Sequence, residues 1–276
     1  MKNLIEIGLE LSQKLSTLDE EILSSLKFYK KDAIGQNDQE LAKRIWCMEQ
    51  VYKIKSHYLK AFSMLKNKEF SSAWGALDRA DIELYFLLRH YDIANNDYQL
   101  SYISKTIKYL QKLFPYRSFY SREAIVTKKS CTICNQIVRI RNGCGHVVGD
   151  IYSGEMCGRK VEEFEILGFS LVENPFDKYT VTYVQGKEYN YKILENLMEH
   201  FNDPYERWEI VMKKELNPKY VNIKGFQLCP CDSGKKFKKC CMLSGDYAFD
   251  HLHIEFLDKS IPFETPMEIV GTWKED

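Results

Sequence analysis

Hydrophobic side chains recur every three or four residues from the N-terminus to about residue 114, a spacing that predicts amphipathic helices. The first apolar face belongs to one helix or to two consecutive helices. It contains Leu4, Ile7, Leu11, Leu15, Leu18, Ile22, Leu26 and Tyr29. Polar breaks at 35–38, 67–69 and 95–97 separate three further helical segments, and Pro115 ends the last one. The pattern predicts a helical bundle or stacked helical hairpins.

Two finer predictions concern the helix that runs through Trp74. Ser71 or Ser72 is expected to cap its N-terminus. The helical pair around residues 50–91 is similar to a tetratricopeptide hairpin, although no repeat of fixed period supports that comparison.

After residue 130 the pattern changes to short β-branched segments. The predicted strands are residues 136–140, 147–152, 169–172 and 179–184. The first two, separated by a tight turn at Asn142-Gly143, predict a hairpin like that of a zinc ribbon. The predicted helices are a short one from Val161 and two more at about 190–202 and 204–215.

Composition indicates a soluble globular protein whose overall charge predicts no partner. Of 276 residues, 45% are hydrophobic and 28% are charged. Lys plus Arg and Asp plus Glu number 39 each, so any attraction for RNA must come from local patches. No apolar run reaches the length of a membrane span, and the N-terminus does not resemble a signal peptide. Most of the nine cysteines fall in two clusters that suit metal, which predicts a reducing, cytoplasmic location.

The terminal cysteine cluster gathers four sulfur atoms in a short segment. Its members are Cys229, Cys231, Cys240 and Cys241, with a lysine-rich turn between the two pairs. Two disulfide bonds would be crowded into one small loop, although disulfide geometry does not forbid them. A tetrahedral zinc ion needs four thiolate or imidazole ligands, and this spacing can supply them. We interpret the cluster as a zinc site, the alternative being a reduced segment without metal.

Residues 227–243 resemble the SEC-C motif, a small zinc-binding module found at the end of the SecA preprotein translocase ATPase and in many otherwise unrelated bacterial proteins. The shared features are Cys-Pro-Cys at 229–231, Ser-Gly-Lys-Lys at 233–236, Phe237, Lys238-Lys239 and the terminal ligand pair. Asp232 departs from the family pattern, which usually has glycine there, and Cys241 stands where SecA-like members often have histidine. The chain contains no Gly-x-x-x-x-Gly-Lys-Ser/Thr loop, so only the terminal module is shared with SecA.

The resemblance implies a docking role, because the module in SecA-like proteins is associated with the export chaperone SecB and with ribosomes. The expected partner-binding residues surround the turn that the metal would fix: Lys235, Lys236, Phe237, Lys238 and Lys239. A compact cationic surface with one aromatic suits an acidic protein groove or the phosphates of ribosomal RNA.

A second cluster, in the middle of the chain, offers five candidate ligands for four positions. Cys131 and Cys134 form a two-residue-spaced knuckle, and Cys144, His146 and Cys157 follow. We expect Cys131, Cys134, Cys144 and His146 to hold a second zinc ion. Cys157 stays open as an alternative to His146 or Cys144.

A third group lies near the C-terminus, where His251, His253 and Glu255 alternate along a predicted strand. Such side chains on one strand face could bind a metal, although the same pattern is more common at a polar edge. The tail to Asp276 is expected to pack back on the preceding elements.

These expectations describe an α+β multidomain protein with two zinc ions per chain. The predicted segments are a helical domain of bundled helices or hairpins at 1–120, a small zinc-ribbon-like α+β module at 121–225, a SEC-C zinc knob at 226–245 and a C-terminal tail at 246–276.

The preferred hypothesis is a zinc-binding adaptor, not an enzyme, whose knob docks on a protein partner or a ribosome. A catalytic zinc keeps one position for water or substrate, whereas both predicted sites have a full ligand set. No phosphate-binding loop, nucleophile elbow, His-Glu-x-x-His helix or small-molecule site is evident. One alternative is a nucleic-acid-binding or mobile-element protein, because the order of ligands between residues 131 and 175 is similar to cysteine/histidine modules in some phage-derived proteins. Another is zinc that only stabilises the fold.

Overall fold

The computed structural model describes residues 2–94, 98–258 and 272–274. The helix break predicted at 95–97 and residues 259–271 and 275–276 of the predicted C-terminal tail lie outside this part of the chain.

The chain divides into two compact units. The first contains Met1–Tyr205 and Ile269–Asp276, and the second contains Glu206–Glu268. Helices dominate the first unit and a strand pair is the largest element of the second, which confirms the predicted α+β class. The finer division into four functional segments stays a prediction.

The helices are α1 (Leu4–Leu11), α2 (Glu21–Gly35), α3 (Gln39–Lys66), α4 (Phe70–Leu87), α5 (Leu100–Leu113), α6 (Lys192–His200) and α7 (Cys241–Ser244). The strands are β1 (Phe119–Cys131), β2 (Ile151–Tyr152), β3 (Glu155–Met156), β4 (Arg159–Val172), β5 (Trp208–Leu216) and β6 (Ala248–Phe256). Short 3-10 turns occur at Pro218–Tyr220 and Phe237–Lys239.

The first predicted apolar face forms two consecutive helices. A capping box begins α1, because the Asn3 side chain accepts a hydrogen bond from the Glu6 amide while the Glu6 carboxylate accepts one from the Asn3 amide. Leu15 and Leu18 lie between α1 and α2 and are half-buried. The spacing of apolar residues therefore continues through a segment that is not helical.

The long helix α3 is the central element of the helical part of the first unit. At about 1.5 Å per residue it is about 42 Å long, and it packs against α1, α2, α4, α5 and α6. Ile45, Ile54 and Tyr58 are buried on it. Residues 67–69 join α3 to α4 as a helical hairpin, as the polar break there predicts.

The predicted serine cap of α4 is wrong. α4 begins at Phe70, with Glu69 at the capping position, and Ser71 lies in the first turn with its hydroxyl 3.0 Å from that of Tyr183. Phe70 is buried and its ring stacks on Tyr191 at a centroid distance of 4.3 Å. A tertiary contact, which local sequence does not reveal, accompanies the start of this helix.

Lys55 is a charged side chain buried in the helical core. Its ammonium group donates hydrogen bonds to the carbonyl oxygens of Leu11 (2.7 Å) and Gln13 (2.8 Å) and to the side-chain oxygen of Gln99 (2.8 Å). Three acceptors match the three donors of an ammonium group. Burial lowers the pKa of Lys55 to about 8. The side chain ties the end of α1 to the residue that precedes α5.

Lys55→Met is expected to lower the free energy of unfolding by about 3 kcal/mol, because buried acceptors left without a donor cost about 1–3 kcal/mol each. Urea unfolding of the full chain measures the effect. Lys60→Met on the exposed side of the same helix is the control and should change stability by less than about 0.5 kcal/mol. Equal midpoints for the two variants would show that the Lys55 hydrogen bonds do not stabilise the fold.

A long two-stranded ribbon replaces the helix that we predict from Val161. β1 pairs with β4 in antiparallel register, from Phe119 opposite Val172 to Cys131 opposite Arg159. Apolar residues in β4 recur at spacings that resemble a helix, but register shifts along the pair accommodate them in a strand. The ribbon brings the two ends of the cysteine-containing loop together.

The strands predicted for a zinc ribbon are also wrong. Residues 136–140 contribute only isolated bridges, Ser130 to Ile137 and Arg139 to Asn142. The chain turns back at Asn135, whose φ is 58° and whose amide donates to the Cys131 carbonyl at 2.9 Å. Similarly, residues 179–184 form one isolated bridge rather than a strand, and of 147–152 only the two residues of β2 are a strand. Tight turns interrupt these β-branched segments before they can extend.

The helix predicted at 204–215 is wrong as well, whereas α6 confirms the one predicted at 190–202. In the second unit β5 pairs with β6 from Trp208 opposite Phe256 to Leu216 opposite Ala248. The partner strand lies more than thirty residues away in sequence. Pairing with this distant strand therefore outweighs the helical pattern of the local sequence.

Polar contacts hold the loop between β1 and β4 on the helices. The Lys30 ammonium lies 2.7 Å from the Glu49 carboxylate and 2.8 Å from that of Glu155. His90 Nε2 lies 2.6 Å from the Gly149 carbonyl oxygen. The loop that carries the central cysteines is therefore anchored at two points.

Candidate metal centres

The knob, residues 226–245, gathers its cysteines with backbone hydrogen bonds. The Cys229 amide donates to the Lys235 carbonyl and the Phe237 amide to the Gln227 carbonyl, each at 2.8 Å. These bonds close a narrow turn around the first cysteine pair. The 3-10 turn Phe237–Lys239 then brings the second pair back to it.

The four knob sulfur atoms lie within 4.8 Å of one another. Cys231 Sγ is 3.5 Å from Cys240 Sγ, which is 4.0 Å from Cys241 Sγ. Sulfurs around a tetrahedral zinc ion are about 3.8 Å apart, given Zn–S bonds of about 2.3 Å, whereas a disulfide bond is about 2.05 Å long. All nine cysteines are free thiols. The geometry fits a metal ion and excludes disulfides in the knob.

A hydroxyl group lies between the two knob sulfurs that face solvent. Ser233 Oγ is 3.1 Å from both Cys231 Sγ and Cys240 Sγ. Hydrogen bonds from Ser233 and Cys229 lower the pKa of Cys231 to about 6. Because the thiolate is the form that binds metal, this ligand is ready at neutral pH.

Phe237 is a core residue of the knob, so the expectation that it presents an exposed aromatic surface is wrong. Its side chain is 7% exposed, and its ring lies 5.5 Å from that of Tyr220 and 5.9 Å from that of Tyr247. The Tyr220 hydroxyl in turn donates to Cys241 Sγ at 3.3 Å. The rings of Phe237 and Tyr220 together fill the small interior beside the sulfurs.

The predicted partner-binding lysines are exposed. Lys235, Lys236, Lys238 and Lys239 have solvent-accessible side chains, and none forms an ion pair within the part of the chain that the structure describes. The exposed aromatic of the knob is Phe226, at 63% exposure. It follows Gly225, whose carbonyl accepts a hydrogen bond from the Lys238 amide at 2.9 Å.

Asp232 has a backbone conformation that is more typical of glycine. Its φ is 61°, in the left-handed region that glycine adopts most easily. Aspartate tolerates this region better than most residues because its short polar side chain can bond locally. The turn at this position is therefore compatible with aspartate, at a small energetic cost relative to glycine.

Asp232→Gly is expected to raise the free energy of unfolding by about 0.5–1 kcal/mol, because left-handed backbone costs roughly 1–2 kcal/mol for residues with a Cβ and glycine loses more entropy on folding. Chelator-induced unfolding of the metal-loaded chain measures the change. Asp232→Val should lower the free energy of unfolding, because a β-branched residue fits this left-handed backbone region poorly. A glycine variant less stable than the parent would mean that the Asp232 carboxylate itself stabilises the turn.

The central cluster brings together the four ligands that the sequence predicts. The donor atoms of Cys131, Cys134, Cys144 and His146 lie within 4.8 Å of one another. Cys131 Sγ is 3.7 Å from His146 Nδ1, close to the separation of about 3.6 Å expected across a tetrahedral zinc ion. Burial raises the pKa of Cys131, but hydrogen bonds, first among them those from the Cys134 and Ile133 amides, outweigh it and bring the pKa to about 6.

Cys157 lies beside this donor set. Its Sγ is 3.9 Å from Cys131 Sγ, and Arg159 Nη1 donates to it at 3.3 Å. Arg159 also donates to the His146 carbonyl at 2.9 Å, so it links Cys157 to the backbone of a predicted ligand. The guanidinium group places positive charge next to a cluster of sulfurs that become negative when they bind metal.

The sequence does not predict that Ser233 and Tyr220 contact the sulfurs, whereas Arg159 belongs to a basic group that the sequence places near the central cluster, where it balances the charge of zinc-bound thiolates. Ser233 and Arg159 each lie two residues after a cysteine, so both contacts are local in sequence. Tyr220 is 21 residues before Cys241. Only the fold brings its hydroxyl to the sulfur.

Both donor sets have the composition of closed structural sites. Four sulfurs in the knob, and three sulfurs with one imidazole in the central loop, are sets that fit zinc and leave no tetrahedral position free. The two groups could therefore hold metal ions that give shape to loops with small cores.

Comparison with known proteins identifies one motif. Residues 227–243 match the family model of the SEC-C motif. No curated protein and no solved structure matches the chain. Within the described ranges, the helices are too short or too polar to cross a membrane. The chain thus carries a SEC-C motif, and the remainder is unassigned.

Proposed function

We propose that the protein is an adaptor in which two closed zinc sites hold loops in shape and the knob docks on an acidic partner, a protein or a ribosome. The observation that carries the proposal is a local excess of positive charge on a chain whose net charge is zero. Residues 217–244 contain one acidic residue, Asp232, against the lysines Lys219, Lys224, Lys235, Lys236, Lys238 and Lys239. All of these lysines are exposed.

Metal supports the docking role because the knob has little core of its own. Its buried side chains are Cys229, Phe237 and Cys241, packed with Tyr220. In comparable small sites zinc contributes about 10–16 kcal/mol, which is enough to order such a segment. A fixed turn then presents its lysines without the loss of backbone entropy that ordering the segment on binding would cost.

Exposed apolar side chains around the lysines favour a protein surface over bare phosphates. Phe226, Leu228, Met242 and Leu243 are each more than half exposed. Clustered apolar residues with cationic neighbours are typical of surfaces that bind proteins. A binding partner of matching chemistry has acidic residues around an apolar groove, and acidic ribosomal surfaces offer the same charge.

Co-sedimentation of the full chain with ribosomes, at low and moderate salt, tests the proposal. Replacing the four knob lysines at 235, 236, 238 and 239 by glutamine should abolish binding. The matched control replaces four exposed lysines elsewhere: Lys14, Lys27, Lys31 and Lys43. Equal binding by the two variants would contradict docking through the knob.

The same assay separates the two kinds of partner. Phe226→Ala should weaken docking on a protein surface by about tenfold, since buried aromatic anchors dominate such interfaces. If RNA phosphates are the partner instead, Phe226→Ala has little effect and the lysine variant flattens the salt dependence. If metal only stabilises the fold, neither variant changes what the chain binds.

A further inference from the structure

The strand pair of the second unit brings two histidines and a glutamate together on one face. In the β5–β6 register Lys213 lies opposite His251 and Val211 opposite His253. Because side chains alternate along a strand, His251 and His253 share a face of β6, and Glu215 projects from the same face of β5. The sequence pattern named Glu255 as the third member, but the fold supplies Glu215 from the other strand.

The donor atoms of these three side chains lie within 4.8 Å of one another. One oxygen of the Glu215 carboxylate is 2.5 Å from His253 Nε2, and the other is 4.0 Å from His251 Nδ1. Nitrogen and oxygen ligands of a tetrahedral ion, bound at about 2.0–2.2 Å, are roughly 3.4 Å apart. The observed separations bracket that value, so small side-chain rotations would centre an ion.

The cluster is partly exposed to solvent. The side chains of His251, His253 and Glu215 are 20%, 28% and 24% exposed. His253 Nε2 is enclosed and has no hydrogen bond of good geometry within the described residues, despite its approach to the carboxylate. A cation shared between the two groups would satisfy both.

The lysines near Glu215 pair with other carboxylates, so the Glu215 carboxylate approaches the two imidazoles. Lys213, on the same face, pairs with Glu255. Lys214 points to the opposite face and pairs with Asp250 at 2.9 Å. In the part of the chain that the structure describes, no lysine or arginine forms an ion pair with Glu215.

We propose that Glu215, His251 and His253 form a third metal site, distinct from the two cysteine clusters. Two imidazoles and one carboxylate suit zinc, cobalt or nickel better than magnesium or calcium, which prefer oxygen ligands. Three protein ligands leave a position for water or an exogenous anion. The ion is therefore held less tightly than in a four-cysteine site and exchanges with the medium.

Equilibrium dialysis of the full chain against a moderate excess of zinc, with metal analysis on both sides of the membrane, tests the site. His251→Ala/His253→Ala should bind one zinc ion fewer per chain than the parent protein, whatever the occupancy of the cysteine sites. Asp250→Asn, on the opposite face of the same strand, is the matched control and should bind as many ions as the parent. Equal zinc content in the parent and the double variant would overturn the proposal.

Cobalt substitution gives a second readout that separates this site from the cysteine clusters. With the cysteine sites first filled by zinc, added cobalt should give the spectrum of nitrogen and oxygen ligands without sulfur-to-cobalt charge-transfer bands. The double histidine variant should lose that spectrum while its far-ultraviolet circular dichroism stays unchanged. Charge-transfer bands in the parent protein, or cobalt binding that survives in the variant, would assign the extra ion elsewhere.

Discussion

Cys240→Ser/Cys241→Ser is expected to remove one metal ion per chain and to unfold the knob. The two sulfurs supply half of the knob donor set, and Cys241 is also one of the few buried side chains there. Loss of a structural zinc removes about 10–16 kcal/mol of binding free energy from such a segment, far more than its small core can replace. Metal analysis gives the stoichiometry, and limited proteolysis between residues 226 and 245 reports the unfolding.

Cys47→Ala is the control for the loss of a thiol. Cys47 lies in α3, outside both clusters, and burial raises the pKa of its thiol to about 11. This variant should keep every metal ion of the parent and an intact knob. A double-serine variant that retains its full metal content, or a knob that resists protease without the ion, would contradict a metal-dependent fold.

Cys134→Ser is expected to remove the ion from the central cluster, whereas Cys157→Ser should keep it. Cys134 belongs to the four donors that lie within 4.8 Å of one another, and Cys157 approaches the cluster at Cys131 while pairing with Arg159. Stability should fall by several kcal/mol in Cys134→Ser, but less than in an isolated zinc module, because Lys30 and His90 also anchor the loop.

The assignment between Cys157 and His146 follows from a second pair of variants. His146→Ala should lose the central ion if the imidazole is the fourth ligand. If instead Cys157→Ser loses the ion and His146→Ala keeps it, Cys157 is the ligand. In each variant the knob ion serves as the internal reference, because its four ligands are in the second unit. Retention of the central ion in Cys134→Ser would contradict the site altogether.

The prediction of helices succeeded where apolar residues recur three or four apart over a long segment. α2 to α5 lie close to the predicted segments, because polar breaks or Pro115 separate their apolar residues, which are buried in the helical core. The helices predicted from Val161 and at 204–215 are wrong, because both segments form strands. Those segments carry apolar residues at spacings that suit either a helix or a strand, and a partner strand far along the chain decides between them.

The candidate metal centres were more predictable than the fold that surrounds them. Short spacings such as Cys131 to Cys134 and Cys229 to Cys231 bring two sulfurs together through one turn, whatever the rest of the chain does. The burial of Phe237, in contrast, cannot be predicted from short spacings. A single aromatic next to four lysines could lie on the surface or in the interior, and only the positions of Tyr220 and Tyr247 show that it fills the core.

Local sequence by itself determined the helices of the first unit, the two cysteine donor sets and the SEC-C motif at residues 227–243, because each depends on side chains close together in the chain. Tertiary structure alone decided the ribbon of β1 and β4, the Tyr220 contact with sulfur, and the replacement of Glu255 by Glu215 beside the histidines. Strand pairing joins residues far apart in sequence, and the register that it selects sets which side chains share a face.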